Sequence, residues 1–221
     1  ASSMPNFTHA SPLYIQRSST VAIGSNDGAL RLYDARTGTQ LWKTETGRPS
    51  EEQLLSGFSS FDIKGLPAYH ATTHTLVVVN TDGDIVGINA SDGRRVWSAR
   101  MEFGAHGSPY IRGDYVYVGS LDKCVYCVHI LTGVVTWRTR LSARIFATPF
   151  ARDDALLIGC NDGKLYSLDF LTGVIRGYTT LTERITNAGV YDKETGKVYV
   201  TTYANELYAL EKEAEKDSPL T

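Results

Sequence analysis

The 221-residue sequence predicts an all-β fold, a β-propeller of about five four-stranded blades. A segment of the form strand, turn, strand, turn, strand occurs four times, and a fifth copy fades after two strands. These copies begin at Val21, Leu76, Val116, Leu156 and Val198, and a further short strand precedes each of them. The spacing agrees with a blade, because one turn glycine recurs at intervals of 55, 40 and 40 residues, at Gly38, Gly93, Gly133 and Gly173.

The turn between the second and third strands typically contains Asp followed by Gly, as in Asn26-Asp27-Gly28. Asp accepts hydrogen bonds from nearby backbone amides, and Gly adopts the positive φ that a tight reversal needs. Lys123 and Asn205 stand at the glycine position in two repeats, where we expect them to adopt the same left-handed conformation.

The third strand of each repeat is apolar on both faces, which predicts a sheet covered on both sides, as a blade is by its two neighbours. One column of apolar residues consists of Leu30, Ile85, Val125, Leu165 and Leu207. The column on the opposite face consists of Tyr33, Ile88, Val128, Leu168 and Leu210.

The fourth strand carries a tryptophan four residues after the turn glycine in three repeats, at Trp42, Trp97 and Trp137, whereas the fourth repeat has Gly177 there. The string VYCVHILTGVVTW from Val125 shows the full pattern, and it resembles the tryptophan-docking repeat of the PQQ-like β-propeller family. In that family the tryptophan of one blade packs on the glycine turn of the next. The resemblance therefore implies docking of these three tryptophans on the turns that contain Gly38, Gly93, Gly133 and Gly173.

The repeats predict one domain over residues 1–221, with blades at about 9–44, 65–101, 106–141, 146–181 and 186–213. The first interval is longer than the others, which predicts an insertion at 45–64, either a surface loop or a partner-binding segment. The fifth repeat lacks a convincing outer strand. The chain is therefore either a five-bladed ring with an imperfect closure or the C-terminal section of a larger propeller of seven or eight blades. An open blade edge also predicts a dimer.

Composition argues against two classes of partner, nucleic acids and membranes. The net charge is −2, which does not favour a nucleic-acid partner, and no apolar run approaches the length of a membrane span. Three cysteines cannot form a complete set of disulfides, which favours a cytoplasmic location. Cys124 and Cys127 form a Cys-x-x-Cys pattern, but residues three apart on a strand point to opposite faces, so we predict no metal site there.

The segments that precede the first strand of each blade are expected at one mouth of the central channel of a propeller. Corresponding positions in these segments hold His9, Lys64, His106, Arg144 and Arg184. These side chains are either solvated rim residues or a basic mouth that binds an acidic ligand or peptide.

We predict no catalytic residue, metal or cofactor. The resemblance leaves three interpretations: a non-enzymatic scaffold that binds a protein or peptide within a larger protein or complex, a carrier- or substrate-recognition module appended to an acyl-activating (AMP-forming) enzyme, and a quinoprotein dehydrogenase fragment. We expect the first. The adjacent cysteine pair that the quinoprotein alcohol dehydrogenases carry is absent from this sequence.

Overall fold

The computed structural model describes residues 8–47 and 61–211, and within these ranges the chain consists of strands and their connections. The first sheet is formed by β1 to β4, at Leu13–Ile15, Thr20–Gly24, Ala29–Asp34 and Gln40–Glu45. The second is formed by β5 to β8, at Ala68–His70, Thr75–Val79, Asp84–Asn89 and Arg95–Arg100. Each is an antiparallel meander in chain order, which confirms the predicted all-β repeat.

The remaining strands repeat the same meander. The third sheet holds β9 to β12, at Tyr110–Arg112, Tyr115–Gly119, Cys124–His129 and Val135–Arg140. The fourth holds β13 to β16, at Phe150–Arg152, Ala155–Gly159, Lys164–Asp169 and Ile175–Thr180. Three strands make up the fifth sheet within the described residues, β17 to β19, at Val190–Asp192, Lys197–Thr201 and Leu207–Leu210. Most of the predicted insertion, residues 48–60, and the chain ends at 1–7 and 212–221 lie outside the described residues.

The turns between second and third strands have the predicted chemistry. The Oδ1 of Asp122 accepts a hydrogen bond from the Cys124 amide at 2.8 Å, and the Oδ1 of Asp162 accepts one from the Lys164 amide at 3.1 Å. Lys123 and Asn205 have φ of 75° and 61°, so both take the left-handed conformation that glycine adopts in the other turns.

The core lies between successive sheets rather than inside any one of them. A hydrophobic cluster that includes Leu30, Leu76 and Ile88 lies between the first and second sheets. Three further hydrophobic clusters lie between the second and third, third and fourth, and fourth and fifth sheets. Cys124 and Cys127 belong to two different clusters, as expected for residues on opposite faces of one strand.

One predicted core position is wrong. Leu207 is 70% exposed, although the other residues of its column, Leu30, Ile85, Val125 and Leu165, are buried. The cause is positional: each of those four faces the next sheet along the chain, whereas the described residues place no sheet beyond the fifth. Val190, 64% exposed, lies on the same uncovered face.

Candidate functional site

Three tryptophans link successive sheets, as the resemblance implies. Trp42 Nε1 donates a hydrogen bond to the Ala90 carbonyl at 3.0 Å, and Trp137 Nε1 donates to Phe170 at 3.0 Å. Trp97 donates to the Ile130 carbonyl at 2.5 Å and is the most buried of the three, with 8% exposure. The structure thus places Trp42, Trp97 and Trp137 on the turns of Gly93, Gly133 and Gly173, respectively.

Glycine is required at these turns because the indole occupies the space of a side chain. A Cβ added at Gly133 would lie 2.8 Å from the Cβ of Trp97, and the φ of Gly133 is +71°. A β-bulge between the third and fourth strands recurs in each of the four-stranded sheets and sets the tryptophan opposite a fixed partner, such as Cys127 for Trp137. These features fix the relative positions of the sheets, and hence of the segments that connect one sheet to the next.

The mouth segments, residues 61–65, 103–107, 143–147 and 183–187, connect each sheet to the next. In the third of them the Ile145 amide donates to the Ser120 carbonyl of the preceding sheet at 3.2 Å. The Asn161 amide of the following sheet donates to the Arg144 carbonyl at 3.1 Å. Equivalent bonds occur in the other three segments, so all four lie along the turns between second and third strands.

The central residue of each mouth segment is fully buried and anchors it: Ile63, Ala105, Ile145 and Ile185. Because neighbours in an extended segment point away from such an anchor, the residues on either side face outward. These flanking positions include four of the predicted site residues, Lys64, His106, Arg144 and Arg184. His9, the fifth, is exposed next to β1.

Successive mouth segments pack closely. A Cβ at Gly107 would lie 2.7 Å from the Ala147 carbonyl oxygen, and the Ser108 amide donates to Thr148 Oγ1 at 2.8 Å. The His106 and Phe146 rings meet edge to face, with centroids 5.2 Å apart. The structure therefore joins side chains of adjacent blades into one surface.

This surface is less basic than a basic mouth built from all five predicted residues would be. Lys64 Nζ lies 3.7 Å from Asp62 Oδ2, so a carboxylate offsets its charge. Burial, together with the Lys64 ammonium, lowers the pKa of His106, which favours the neutral form of the ring. The two arginines carry the remaining positive charge of the segments at the third, fourth and fifth sheets.

Arg144 and Arg184 occupy equivalent positions on neighbouring blades. Arg144 is exposed and makes no side-chain hydrogen bond or ion pair within the part of the chain that the structure describes. The Arg184 guanidinium lies over the Tyr203 ring, 3.7 Å from its centroid. Its Nε is buried and has no hydrogen-bond partner among the described residues. Both guanidiniums therefore keep donors for an external acceptor.

Sequence reasoning missed a buried ion pair in the first sheet. Arg31 is 2% exposed and forms a salt bridge with Asp27, whose Oδ1 also accepts a bond from the Ala29 amide at 3.1 Å. Partial burial opposes ionisation of Asp27, but the hydrogen bonds from Arg31, Ser25 and Ala29 outweigh it and hold its pKa well below the usual value. An Arg placed four residues after a turn Asp, where other repeats have an apolar or tyrosine residue, is the signal in the sequence.

The cysteines are not reactive groups. All three are free and buried, and burial raises the pKa of the Cys127 and Cys160 thiols to about 11 in each case. The described residues contain no group of three or more His, Cys, Asp or Glu side chains arranged to hold a metal ion, and no helix long and apolar enough to span a membrane.

Comparison with known proteins identifies one matching family and several solved structures with a similar fold. The family described as outer membrane protein assembly factor BamB matches residues 26–209. The crystal structure of BamB from Moraxella catarrhalis is similar, with a TM-score of 0.78 and 17% identity over 96% of this chain and 63% of that chain. No curated protein sequence matches.

Two computationally designed proteins share the fold. Ika8 has a TM-score of 0.74 at 17% identity, over 91% of this chain and 57% of its own. Ika4 has a TM-score of 0.58 at 17% identity, over 66% of this chain and 88% of its own. The chain therefore spans less than two thirds of the Moraxella catarrhalis protein and of Ika8, and at these identities the likeness shows the fold.

Proposed function

The chain belongs to the PQQ-like repeat family described as outer membrane protein assembly factor BamB, and from this premise we propose that it is a non-enzymatic β-propeller scaffold that binds a protein partner. The observation that supports this most strongly is the pair of arginines, Arg144 and Arg184, presented at equivalent mouth positions of adjacent blades. The family description concerns protein assembly, which is consistent with a binding role.

The mouth surface suits an extended peptide that carries both acidic and aromatic side chains. The arginines offer charge-assisted hydrogen bonds to carboxylates. The neutral His106 ring and the Phe146 ring, in contact with each other, offer an aromatic surface beside them. The interblade hydrogen bonds hold these groups in place before binding, so little conformational entropy is lost on association.

A random dodecapeptide library selected on the immobilised protein tests this proposal. We expect enrichment of peptides that contain Asp or Glu together with an aromatic residue. A selected peptide, labelled with a fluorophore, is then titrated by anisotropy against the wild type and against the double variant Arg144→Glu/Arg184→Glu. Reversal of two interfacial charges should weaken binding by at least tenfold.

Arg94→Glu is the matched control, because Arg94 is an exposed arginine on a turn between third and fourth strands, away from the mouth segments. It should leave the affinity unchanged. Equal affinity of the double variant and the wild type, or the same loss in the control, would refute the mouth as the binding surface.

The non-enzymatic part of the proposal rests on the chemistry of the described residues, where the buried thiols are poor nucleophiles at neutral pH. A quinoprotein fragment would be stabilised by PQQ with calcium; we expect no change of the melting temperature on adding them. The comparisons offer no support for a module appended to an acyl-activating enzyme.

An open blade edge predicts a dimer, and the fifth sheet offers a second candidate surface, because Val190 and Leu207 are exposed on a face that no other described residue covers. If two copies associate through this face, Leu207→Glu should convert a dimer into a monomer in analytical ultracentrifugation. Leu171→Glu, at an equally exposed turn leucine, should not. A wild type that sediments as a monomer at all accessible concentrations would exclude the dimer.

A further inference from the structure

The turns between third and fourth strands change in character along the chain. In the third and fourth sheets, two positions of this turn carry aliphatic side chains that are each more than half exposed: Leu131, Val134, Leu171 and Val174. We call these four residues the outer-turn surface. The corresponding positions of the first and second sheets carry polar residues: Arg36, Thr39, Ser91 and Arg94. Aliphatic side chains grouped on two adjacent turns, instead of scattered singly, are typical of a binding surface.

The backbone holds the outer-turn surface in place. The Gly133 amide donates to the His129 carbonyl at 2.9 Å, and the Gly173 amide donates to the Asp169 carbonyl at 3.0 Å, so each turn is closed by its own hydrogen bond. The tryptophans of the preceding sheets also pack on these two turns. Side chains presented by a fixed backbone lose little conformational entropy when a partner binds.

The two turns are connected through the residues that follow β9. The Ile130 amide in the turn of the third sheet donates to the Asp114 carbonyl at 2.8 Å. Arg112, two residues earlier, reaches the fourth sheet, where its Nη1 donates to the Asp153 carbonyl at 2.6 Å. The same guanidinium lies over the Phe170 ring, 4.1 Å from its centroid, and Phe170 belongs to the turn of the fourth sheet. The two halves of the outer-turn surface are thus joined by one interblade contact.

A pocket of about 280 Å³ opens at this contact. Phe170 and Leu171 line it, together with Arg112 and Arg176, whose methylene groups extend the apolar wall. Sites for small molecules and cofactors have volumes of about 300–1,000 Å³. The pocket lies below this range, so it suits a single side chain better than a cofactor.

The charged groups at the pocket balance one another. Its lining contains two arginines and two aspartates: Arg112, Arg176, Asp154 and Asp169. Arg176 donates to Asp154 at 2.6 Å and to Asp169 at 2.6 Å. The Oδ1 of Asp169 accepts further bonds from the amides of Leu171 and Thr172. Because the lining carries no net charge and its ion pairs are already formed, an uncharged occupant is favoured over an ion.

We propose that the outer-turn surface binds a partner-protein segment with uncharged, branched aliphatic side chains, one of which enters the pocket. A lipid surface fits less well, because Arg176 is neutralised by two aspartates and the net charge of the chain is −2, so anionic headgroups gain little. The outer-turn surface lies at the opposite ends of the strands from the mouth segments. The inference therefore goes beyond the proposed function and does not depend on it.

A random dodecapeptide library selected on the immobilised Arg144→Glu/Arg184→Glu variant tests the inference, because this variant keeps the outer-turn surface and lacks the two mouth arginines. We expect enrichment of peptides rich in Leu, Ile and Val and poor in Asp and Glu. A selected peptide, labelled with a fluorophore, should bind this variant and the wild type equally, with a Kd on the order of 10 μM. Exchange of its central aliphatic residue for Asp should weaken binding by at least about tenfold.

Leu131→Ser/Leu171→Ser should also weaken binding by at least about tenfold. The matched control is Leu41→Ser/Val96→Ser, which changes two aliphatic residues of the first and second sheets that are likewise about half exposed. It should leave the affinity unchanged. All four substitutions are at exposed positions, so both variants should fold, and circular dichroism checks this.

Failure to enrich aliphatic peptides overturns the inference, and so does equal affinity of the selected peptide for wild type and Leu131→Ser/Leu171→Ser. Sedimentation with vesicles of phosphatidylcholine and phosphatidylserine should leave the protein in the supernatant. Sedimentation with the vesicles that Leu131→Ser/Leu171→Ser abolishes would assign the surface to lipid instead. An acidic peptide selected at the mouth should bind Leu131→Ser/Leu171→Ser normally, so the proposed function and this inference can fail separately.

Discussion

Replacing Trp97 by alanine should destabilise the protein more than any other single truncation at the blade junctions. Trp97 is 8% exposed and contributes to the core between the second and third sheets. Burial of about 200 Å² of indole at about 25 cal/mol/Å² amounts to about 5 kcal/mol, of which alanine retains a small part. The lost hydrogen bond to the Ile130 carbonyl adds about 1 kcal/mol, and residual structure in the unfolded chain reduces the total.

We therefore expect Trp97→Ala to lower the free energy of unfolding by about 4 kcal/mol, within the range of about 3–5 kcal/mol for buried tryptophans. For a chain of this size that corresponds to a fall in melting temperature of about 8–16 °C. Urea denaturation followed by circular dichroism measures the free energy directly.

Val96→Ala is the matched control, since Val96 lies on the same strand and is 52% exposed, and it should change stability by less than about 0.5 kcal/mol. A melting temperature of Trp97→Ala within about 3 °C of the wild type would refute the docking argument. An equal loss in the control would attribute the effect to the strand instead of the indole.

The other predictions concern single sites. Gly133→Ala should lower the free energy of unfolding by more than about 2 kcal/mol, because the added Cβ displaces Trp97 and strains the backbone. Gly113→Ala, with a φ of +55° and open space around it, should lower it by about 1 kcal/mol. Similar urea midpoints for the two variants would contradict this. Asp27→Asn should cost about 3–5 kcal/mol at pH 7 by leaving Arg31 buried without its partner. Because the pKa of Asp27 is depressed in the folded state, its contribution is present above an unfolded pKa of about 4 and is lost as the pH falls below it, so the penalty measured by thermal melts should shrink towards pH 2. Ellman's reagent at pH 8 should modify none of the three cysteines in the native state and all of them in guanidinium; rapid native labelling would disprove their burial.

The repeat and the strand order were accessible from the sequence because each depends on local spacing, and the docking of the tryptophans followed from the resemblance of the repeat to a known family. A turn glycine and a tryptophan four residues later recur in phase, and a strand alternates its faces whatever sheet lies beside it. The exposure of Leu207 was not accessible in this way, since it depends on whether another sheet follows.

The candidate sites depend on contacts between blades, which spacing does not reveal. Lys64 and Asp62 pair within one mouth segment, but the effect of Lys64 on His106, whose pKa it helps to lower, follows from the packing of that segment against the next one. Gly177 stands out in the sequence as a missing tryptophan.

Hydrogen–deuterium exchange with and without a library-selected peptide tests the central claim, binding of a protein partner at the mouth, most directly. We expect slower exchange in the mouth segments 103–107, 143–147 and 183–187, with little change in the turns that receive the tryptophans. Unchanged exchange in these segments, or protection confined to another surface, would contradict the claim.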